Sequence, residues 1–126
     1  MNAPFAHKNV LLVDDEPSVV TVLKKFLERA GFHVESAENG KRGLERQQTG
    51  NWHVVITDRA MPEMDGEEMA KQIKMRDPNL PIILITGNRE AVTRPDQYKA
   101  ILIKPFRCDT LLNCLSNTLN GNPVGR

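Results

Sequence analysis

The chain has 126 residues, of which 40% are hydrophobic and 26% charged, a composition typical of a folded globular domain. Seventeen basic residues against sixteen acidic ones give a formal net charge of +1, so no overall field attracts nucleic acid and we expect no direct binding to it. No apolar run approaches the roughly 18 residues that span a bilayer, and residues 1–10 lack a signal-peptide segment, so we expect a cytoplasmic protein without membrane insertion.

Short apolar runs alternate with helical patterns along the chain. In chain order, the runs that predict strands are Val10–Val13, His33–Ala37, Val54–Thr57, Ile82–Thr86 and Ile101–Ile103. The second run alternates in polarity, as an edge strand does, whereas the other four are mostly apolar and predict strands buried on both faces. Helical periodicity, together with start and stop signals, predicts helices over residues 17–30, 41–48, 67–76 and 108–119.

This alternation predicts an α/β fold, in which a parallel sheet with right-handed crossovers carries helices on both faces. Only 17 residues separate Thr86 from Lys104, and Arg94-Pro95-Asp96 lies among them. Because about 10 to 12 residues suffice to join parallel strands, we expect one helical turn near Arg89–Val92 followed by a loop, with the fourth helix short or absent. We expect a single domain over residues 1–126, with a core at about 8–119 and polar tails.

Polar residues end four of the predicted strands. The first strand ends in Asp14-Asp15-Glu16, the third in Asp58, the fourth in Thr86 and the fifth in Lys104-Pro105. Because ligands of such sheets bind at the carboxyl ends of the strands, we expect these side chains to converge. Like charges a few ångströms apart oppose each other by about 4 kcal/mol per pair at an effective dielectric of 20. Lys104 offers one positive charge against three carboxylates, so we expect a divalent cation, and Mg²⁺ suits a small open site.

The chemistry expected of this cluster is attack by Asp58 on phosphorus, which gives an aspartyl phosphate. Mg²⁺ and Lys104 would neutralise the charge on the transferring oxygens, and the Thr86 hydroxyl would donate to one of them. Each residue alone has an ordinary structural interpretation, such as a helix cap before Pro17 or a turn at Asp58. The conjunction of four strand ends favours the functional interpretation.

The chain resembles the receiver domains of two-component response regulators from about Lys8 to Leu119. The motifs that carry the resemblance are Val10-Leu-Leu-Val-Asp-Asp-Glu-Pro17, Asp58-Arg-Ala-Met-Pro-Glu-Met-Asp-Gly66, Thr86-Gly87 and Lys104-Pro105-Phe106. The resemblance implies a doubly wound sheet of order 2-1-3-4-5. It also implies that Asp58 accepts a phosphoryl group from a histidine kinase or histidine phosphotransfer protein. The domain would catalyse only its own phosphorylation and slow dephosphorylation, and would signal to a downstream target or a fused output or kinase domain.

The same resemblance implies individual roles at the site. Asp15 and Asp58 would contact Mg²⁺ directly, Asp14 would act mainly through water, and the backbone carbonyl of Ala60 would be a further ligand. Lys104 would pair with the phosphoryl group, and its bond to the following proline is expected to be cis.

One position departs from the family's pattern. Receivers usually carry a tyrosine or phenylalanine three residues before the lysine, and this chain has Ile101 there. Output must therefore work without that aromatic side chain.

Three alternatives stay open. An aspartate-nucleophile phosphohydrolase also uses Asp, Lys and Mg²⁺, but it typically has a second aspartate two residues after a nucleophile on the first strand, whereas Asp14 is followed by Asp15, Glu16 and Pro17. A flavodoxin-like nucleotide carrier would need a glycine-rich phosphate cradle, which the sequence lacks. A degenerate receiver that serves only as a scaffold is disfavoured by the complete acidic set and Lys104.

Overall fold

A computed structural model describes residues 5–120 and shows five parallel strands in one sheet. The elements in this part of the chain are β1 (Asn9–Val13), α1 (Pro17–Arg29), β2 (His33–Ala37), α2 (Gly40–Thr49), β3 (Val54–Asp58), α3 (Gly66–Arg76), β4 (Ile82–Thr86), two 3-10 turns (Arg89–Ala91 and Pro95–Gln97), β5 (Ala100–Ile103) and α4 (Cys108–Leu119). The strand order is β2-β1-β3-β4-β5, with every neighbouring pair parallel. The predicted fold class and strand order are confirmed.

The sheet lies between two helical layers. Strands β3 and β4 are buried along their whole length, whereas the edge strand β2 has one exposed and two half-buried residues. Alternate side chains of β1 enter opposite layers, as the period of two in a strand requires. The core on the α1 and α4 face includes Val10, Leu12, Leu23, Leu27, Leu111 and Leu115. The core on the α2 and α3 face includes Leu11, Val13, Leu44, Met69, Ile73 and Tyr98.

Local sequence signals set where the helices begin. Helix α1 begins at Pro17, whose fixed φ suits the first helical position. Helix α3 follows Asp65, whose carboxylate accepts a hydrogen bond of 2.9 Å from the backbone N–H of Glu68. None of the helices in residues 5–120 has both the length and the apolar character needed to cross a bilayer.

The β4–β5 crossover, residues 87–99, contains two 3-10 turns and no α-helix. This confirms the expectation of a short or absent fourth helix, and the first turn lies where one turn was predicted. The second turn, which starts at Pro95, lies where a loop was predicted. Tyr98 follows it, is only 1% exposed, and joins the core on the α2 and α3 face. The crossover has no α-helix to pack on this face of the sheet. The ring of Tyr98 supplies apolar contacts there instead.

The side chain of Glu67 on α3 holds this crossover in place through hydrogen bonds. Its carboxylate accepts hydrogen bonds from the backbone N–H of Thr93 (3.1 and 3.2 Å) and of Arg94 (3.4 Å). It also accepts from the hydroxyls of Thr93 (3.3 Å) and Tyr98 (3.2 Å). The crossover therefore obtains from a neighbouring helix part of the hydrogen bonding that an α-helix would supply within itself.

Candidate functional site

Four strand ends bring polar side chains to one edge of the sheet. Asp14 and Asp15 follow β1, Asp58 ends β3, Thr86 ends β4, and Lys104 follows β5. The register between β3 and β4 pairs Asp58 with Ile85, so Thr86 lies one residue beyond it on the neighbouring strand. The sequence-predicted side chains are thus carried to the same edge.

Three carboxylates form an acidic cluster at this edge. One oxygen from each of Asp14, Asp15 and Asp58 lies within 4.8 Å of the others. Asp14 and Asp58 are 2% and 5% exposed, whereas Asp15 is exposed to solvent. Because solvent screens buried charges poorly, two negative charges this close favour binding of a cation.

Asp14 shows most directly that the cluster fits a cation. Its Oδ1 accepts a hydrogen bond of 2.9 Å from the backbone N–H of Glu16, but its buried Oδ2 has no hydrogen-bond partner among the described residues. Burial raises the pKa of the Asp14 carboxyl above its ordinary value, and the negative charge of Asp58 adds to the rise, while the Glu16 hydrogen bond opposes it. An orphaned buried oxygen next to two more carboxylates fits a hard divalent cation that seeks oxygen ligands.

Lys104 supplies the positive charge of the site. Its Nζ lies 3.1 Å from Oδ1 of Asp58, and its backbone N–H donates a hydrogen bond of 2.8 Å to the carbonyl of Thr86. Burial lowers the pKa of Lys104, but the hydrogen bond and the negative charge of Asp58 outweigh burial, so the net shift is upward. The ammonium therefore stays charged at neutral pH. The Lys104–Pro105 peptide bond is cis, which confirms that prediction.

The Thr86 hydroxyl is buried and is engaged by groups outside the acidic cluster. It accepts hydrogen bonds from Nε of Arg59 (3.1 Å) and from the backbone N–H of Asn88 (3.0 Å), and it donates to the Asn88 carbonyl (3.2 Å). The sequence reasoning missed Arg59. A signal was available, because a basic residue directly after Asp58 must lie at the same sheet edge.

The loop after β3 carries Ala60, which is exposed two residues beyond the strand. The backbone N–H of Gly66 donates a hydrogen bond of 2.8 Å to the Arg59 carbonyl, which closes this loop.

The position of Gly66 gives a testable prediction about the support of the site. A Cβ at Gly66 would overlap the carbonyl oxygen of Asp58, so Gly66→Ala should lower the free energy of unfolding by about 1 to 3 kcal/mol. Gly87→Ala is the matched control, because a Cβ there would meet nothing within 4 Å. Urea unfolding of both variants checks the prediction, and equal free energies of unfolding would contradict it.

Sequence comparison identifies relatives of the chain. Residues 10–116 match the family model described as the response regulator receiver domain. The response regulator receiver protein CpdR of Brucella abortus is 37% identical over 116 residues, which cover 89% of this chain and 97% of CpdR. The C4-dicarboxylate transport transcriptional regulatory protein DctD of Pseudomonas aeruginosa is 35% identical over 123 residues, which cover 93% of this chain and 26% of DctD.

Solved structures of similar fold agree with these matches. The response regulator TrrA of Thermotoga maritima, in complex with Mg(2+)-BeF, has a TM-score of 0.83 and 32% identity, covering 89% of this chain and 99% of TrrA. The chemotaxis protein CheY4 of Vibrio cholerae has a TM-score of 0.81 and 32% identity, covering 90% of this chain and all of that one. These relatives are signalling proteins rather than enzymes, and they give no support to the phosphohydrolase, carrier or scaffold alternatives. The chain belongs to the response regulator receiver domain family and is a phosphoacceptor switch of two-component signalling.

Proposed function

We propose that Asp58 is the phosphoacceptor of this receiver and that the donor is a histidine kinase or a histidine phosphotransfer protein. The observation that carries the assignment is the position of Asp58 at the end of β3. Its carboxylate lies 3.1 Å from the Lys104 ammonium and within 4.8 Å of the other two carboxylates of the cluster. A nucleophile beside a fixed positive charge and a cation site is the arrangement that phosphoryl transfer needs.

The transfer step follows from these positions. A carboxylate oxygen of Asp58 attacks the phosphorus of a phosphohistidine, so that an O–P bond forms and the P–N bond breaks. The electron pair of the P–N bond stays on the imidazole nitrogen of the donor. The Lys104 ammonium offsets the negative charge on the transferring oxygens. After transfer, the hydroxyl of Thr86 on the neighbouring strand donates a hydrogen bond to a phosphoryl oxygen.

Mg²⁺ is the cation that we assign to the acidic cluster. Asp15, Asp58 and the carbonyl of Ala60 would hold it directly, and Asp14 would act mainly through water. When bound, Mg²⁺ supplies positive charge against the oxygens of the phosphoryl group. The orphaned Oδ2 of Asp14 supports this assignment, as does the Mg(2+)-BeF complex of the related TrrA.

The proposed partners are the phosphodonor and an output component. The match between this chain and DctD covers only 26% of DctD, so a receiver can form part of a longer regulator. The output is therefore either a separate target protein or a fused output or kinase domain. A formal net charge of +1 supports output through protein contacts rather than direct binding to nucleic acid. We also propose that the protein is cytoplasmic and that residues 1–126 form a single domain.

The proposal is tested by intact mass after incubation with acetyl phosphate, with and without Mg²⁺. We expect one phosphoryl adduct on the wild-type chain, only with Mg²⁺, and none on Asp58→Asn. Asp65→Asn is the control, because this exposed aspartate lies in the same segment and caps α3. Equal labelling of Asp58→Asn would refute the assignment. Sustained turnover of a small phosphomonoester would instead favour the phosphohydrolase.

A further inference from the structure

The guanidinium of Arg59 connects the end of β3 to the end of β4. Its Nε donates a hydrogen bond of 3.1 Å to Oγ1 of Thr86, the hydroxyl assigned above to the phosphoryl group. We propose that Arg59 is a positioning residue of the switch, which holds the Thr86 hydroxyl in its orientation before phosphorylation. This inference rests on the proposed function of Asp58.

The hydrogen-bonding capacity of the Thr86 hydroxyl is fully used. A hydroxyl has one hydrogen to donate and two lone pairs that accept. The lone pairs accept from Arg59 and from the backbone N–H of Asn88, and the hydrogen is donated to the Asn88 carbonyl. The hydroxyl can therefore donate to a phosphoryl group on Asp58 only after it gives up the Asn88 carbonyl. The bond from Arg59 opposes that rotation, because it favours the present orientation.

The same hydroxyl is bonded to the first part of the crossover. Asn88 accepts at its side-chain Oδ1 a hydrogen bond of 3.1 Å from the backbone N–H of Glu90, and so caps the 3-10 turn Arg89–Ala91. Rotation of the Thr86 hydroxyl therefore removes a bond at the residue that holds this turn. Because Ile101 replaces the usual aromatic residue of the family, this connection gives the phosphorylation state a route to the crossover.

Removal of the Arg59 guanidinium has opposite expected effects under two interpretations. If Arg59 restrains Thr86, its loss frees the hydroxyl and strengthens binding of a phosphoryl mimic by about threefold to tenfold, the range for one hydrogen bond. If Arg59 acts only as a positive charge near Asp58, its loss weakens binding of the anionic mimic. The direction of the change therefore distinguishes restraint from charge attraction.

The experiment measures the dissociation constant of beryllofluoride at saturating Mg²⁺ by calorimetry. The variants are Arg59→Met, Thr86→Val and the double variant, which together isolate the coupling between the two side chains. Arg94→Met is the control, because Arg94 lines the same polar depression as Arg59 without bonding the Thr86 hydroxyl. We expect Arg59→Met to tighten binding about threefold to tenfold when Thr86 is present and to have less than about a twofold effect beside Thr86→Val. Arg94→Met should leave the constant unchanged.

A second readout follows the hydroxyl directly. In metal-free Arg59→Met, the backbone amide resonance of Asn88 should move toward its position in the beryllofluoride-bound wild-type chain. Weaker binding in both backgrounds, or unchanged affinity with an unmoved Asn88 resonance, would overturn the role of Arg59 while Asp58 still labels with acetyl phosphate. A wild-type chain that neither binds beryllofluoride nor labels would overturn the proposed function, and this inference with it.

Discussion

Replacement of Tyr98 by alanine should lower the free energy of unfolding by about 3 to 5 kcal/mol, the usual cost of emptying a buried aromatic site. The ring is almost fully buried and belongs to the same core cluster as Ile73, Leu80 and Ile101. Because the crossover contains no α-helix, no other large side chain of residues 87–99 is fully buried in this layer. Urea unfolding at neutral pH measures the loss.

Tyr98→Phe is the matched variant, because it keeps the ring and removes only the hydroxyl. That hydroxyl accepts a hydrogen bond of 2.8 Å from Nε2 of Gln97 and donates one of 3.2 Å to Glu67. Burial raises the pKa of Tyr98 well above its ordinary value, so the hydroxyl keeps its proton and remains a hydrogen-bond donor at neutral pH. We expect Tyr98→Phe to cost about 1 kcal/mol. A loss in Tyr98→Ala no greater than in Tyr98→Phe would show that the ring is not part of the core.

Replacement of Asp14 by asparagine should stabilise the metal-free protein at neutral pH and weaken its binding of Mg²⁺. The stabilisation should be about 1 to 3 kcal/mol, since the variant no longer buries a charged oxygen without a partner. Affinity for Mg²⁺ should fall by about tenfold to a hundredfold, the range for lost residues around a metal site. Urea unfolding with and without Mg²⁺ measures both effects.

The difference in unfolding free energy between Asp14→Asn and the wild-type chain should depend on pH in a defined direction. Burial raises the pKa of Asp14 in the folded state, so the folded protein binds this proton more tightly than the unfolded chain does. The contribution of Asp14 to stability is therefore fully present below its ordinary pKa and is lost as pH rises through the raised value. The advantage of Asp14→Asn should grow over the same interval. Asp15→Asn is the control, because Asp15 is exposed and water already solvates its charge. Parallel stability profiles of wild type and Asp14→Asn would contradict this account.

Much of the site could be predicted from the sequence because its side chains lie at strand ends. Once the runs before Asp14, Asp58 and Lys104 are interpreted as parallel strands, the topology alone brings them to one edge. The predicted and observed starts of α1 and α3 agree within about one residue. Pro17 and Asp65 are residue types that favour the N-terminus of a helix, so the sequence signals these starts.

The remaining features depend on side-chain directions and tertiary packing that periodicity does not encode. Tyr98 lies outside every apolar run, so no pattern marks it as a core residue, and only the packing of the crossover on the sheet buries it. The bond from Arg59 to Thr86 joins residues 27 positions apart, and its existence depends on the rotamer of a long side chain. Likewise, the turn at Pro95–Gln97 is too short to produce a periodic signal.

The hydrogen bonds between Glu67 and the β4–β5 crossover affect how the crossover can move. A helix retains its internal hydrogen bonds when it shifts, but the segment around Thr93 and Arg94 depends for its bonds on a carboxylate of another element. If that carboxylate turns away, the backbone N–H groups of Thr93 and Arg94 lose this acceptor together. Local opening of the middle of the crossover therefore requires the loss of contacts to one side chain on α3, whereas the buried ring of Tyr98 still holds its end to the sheet.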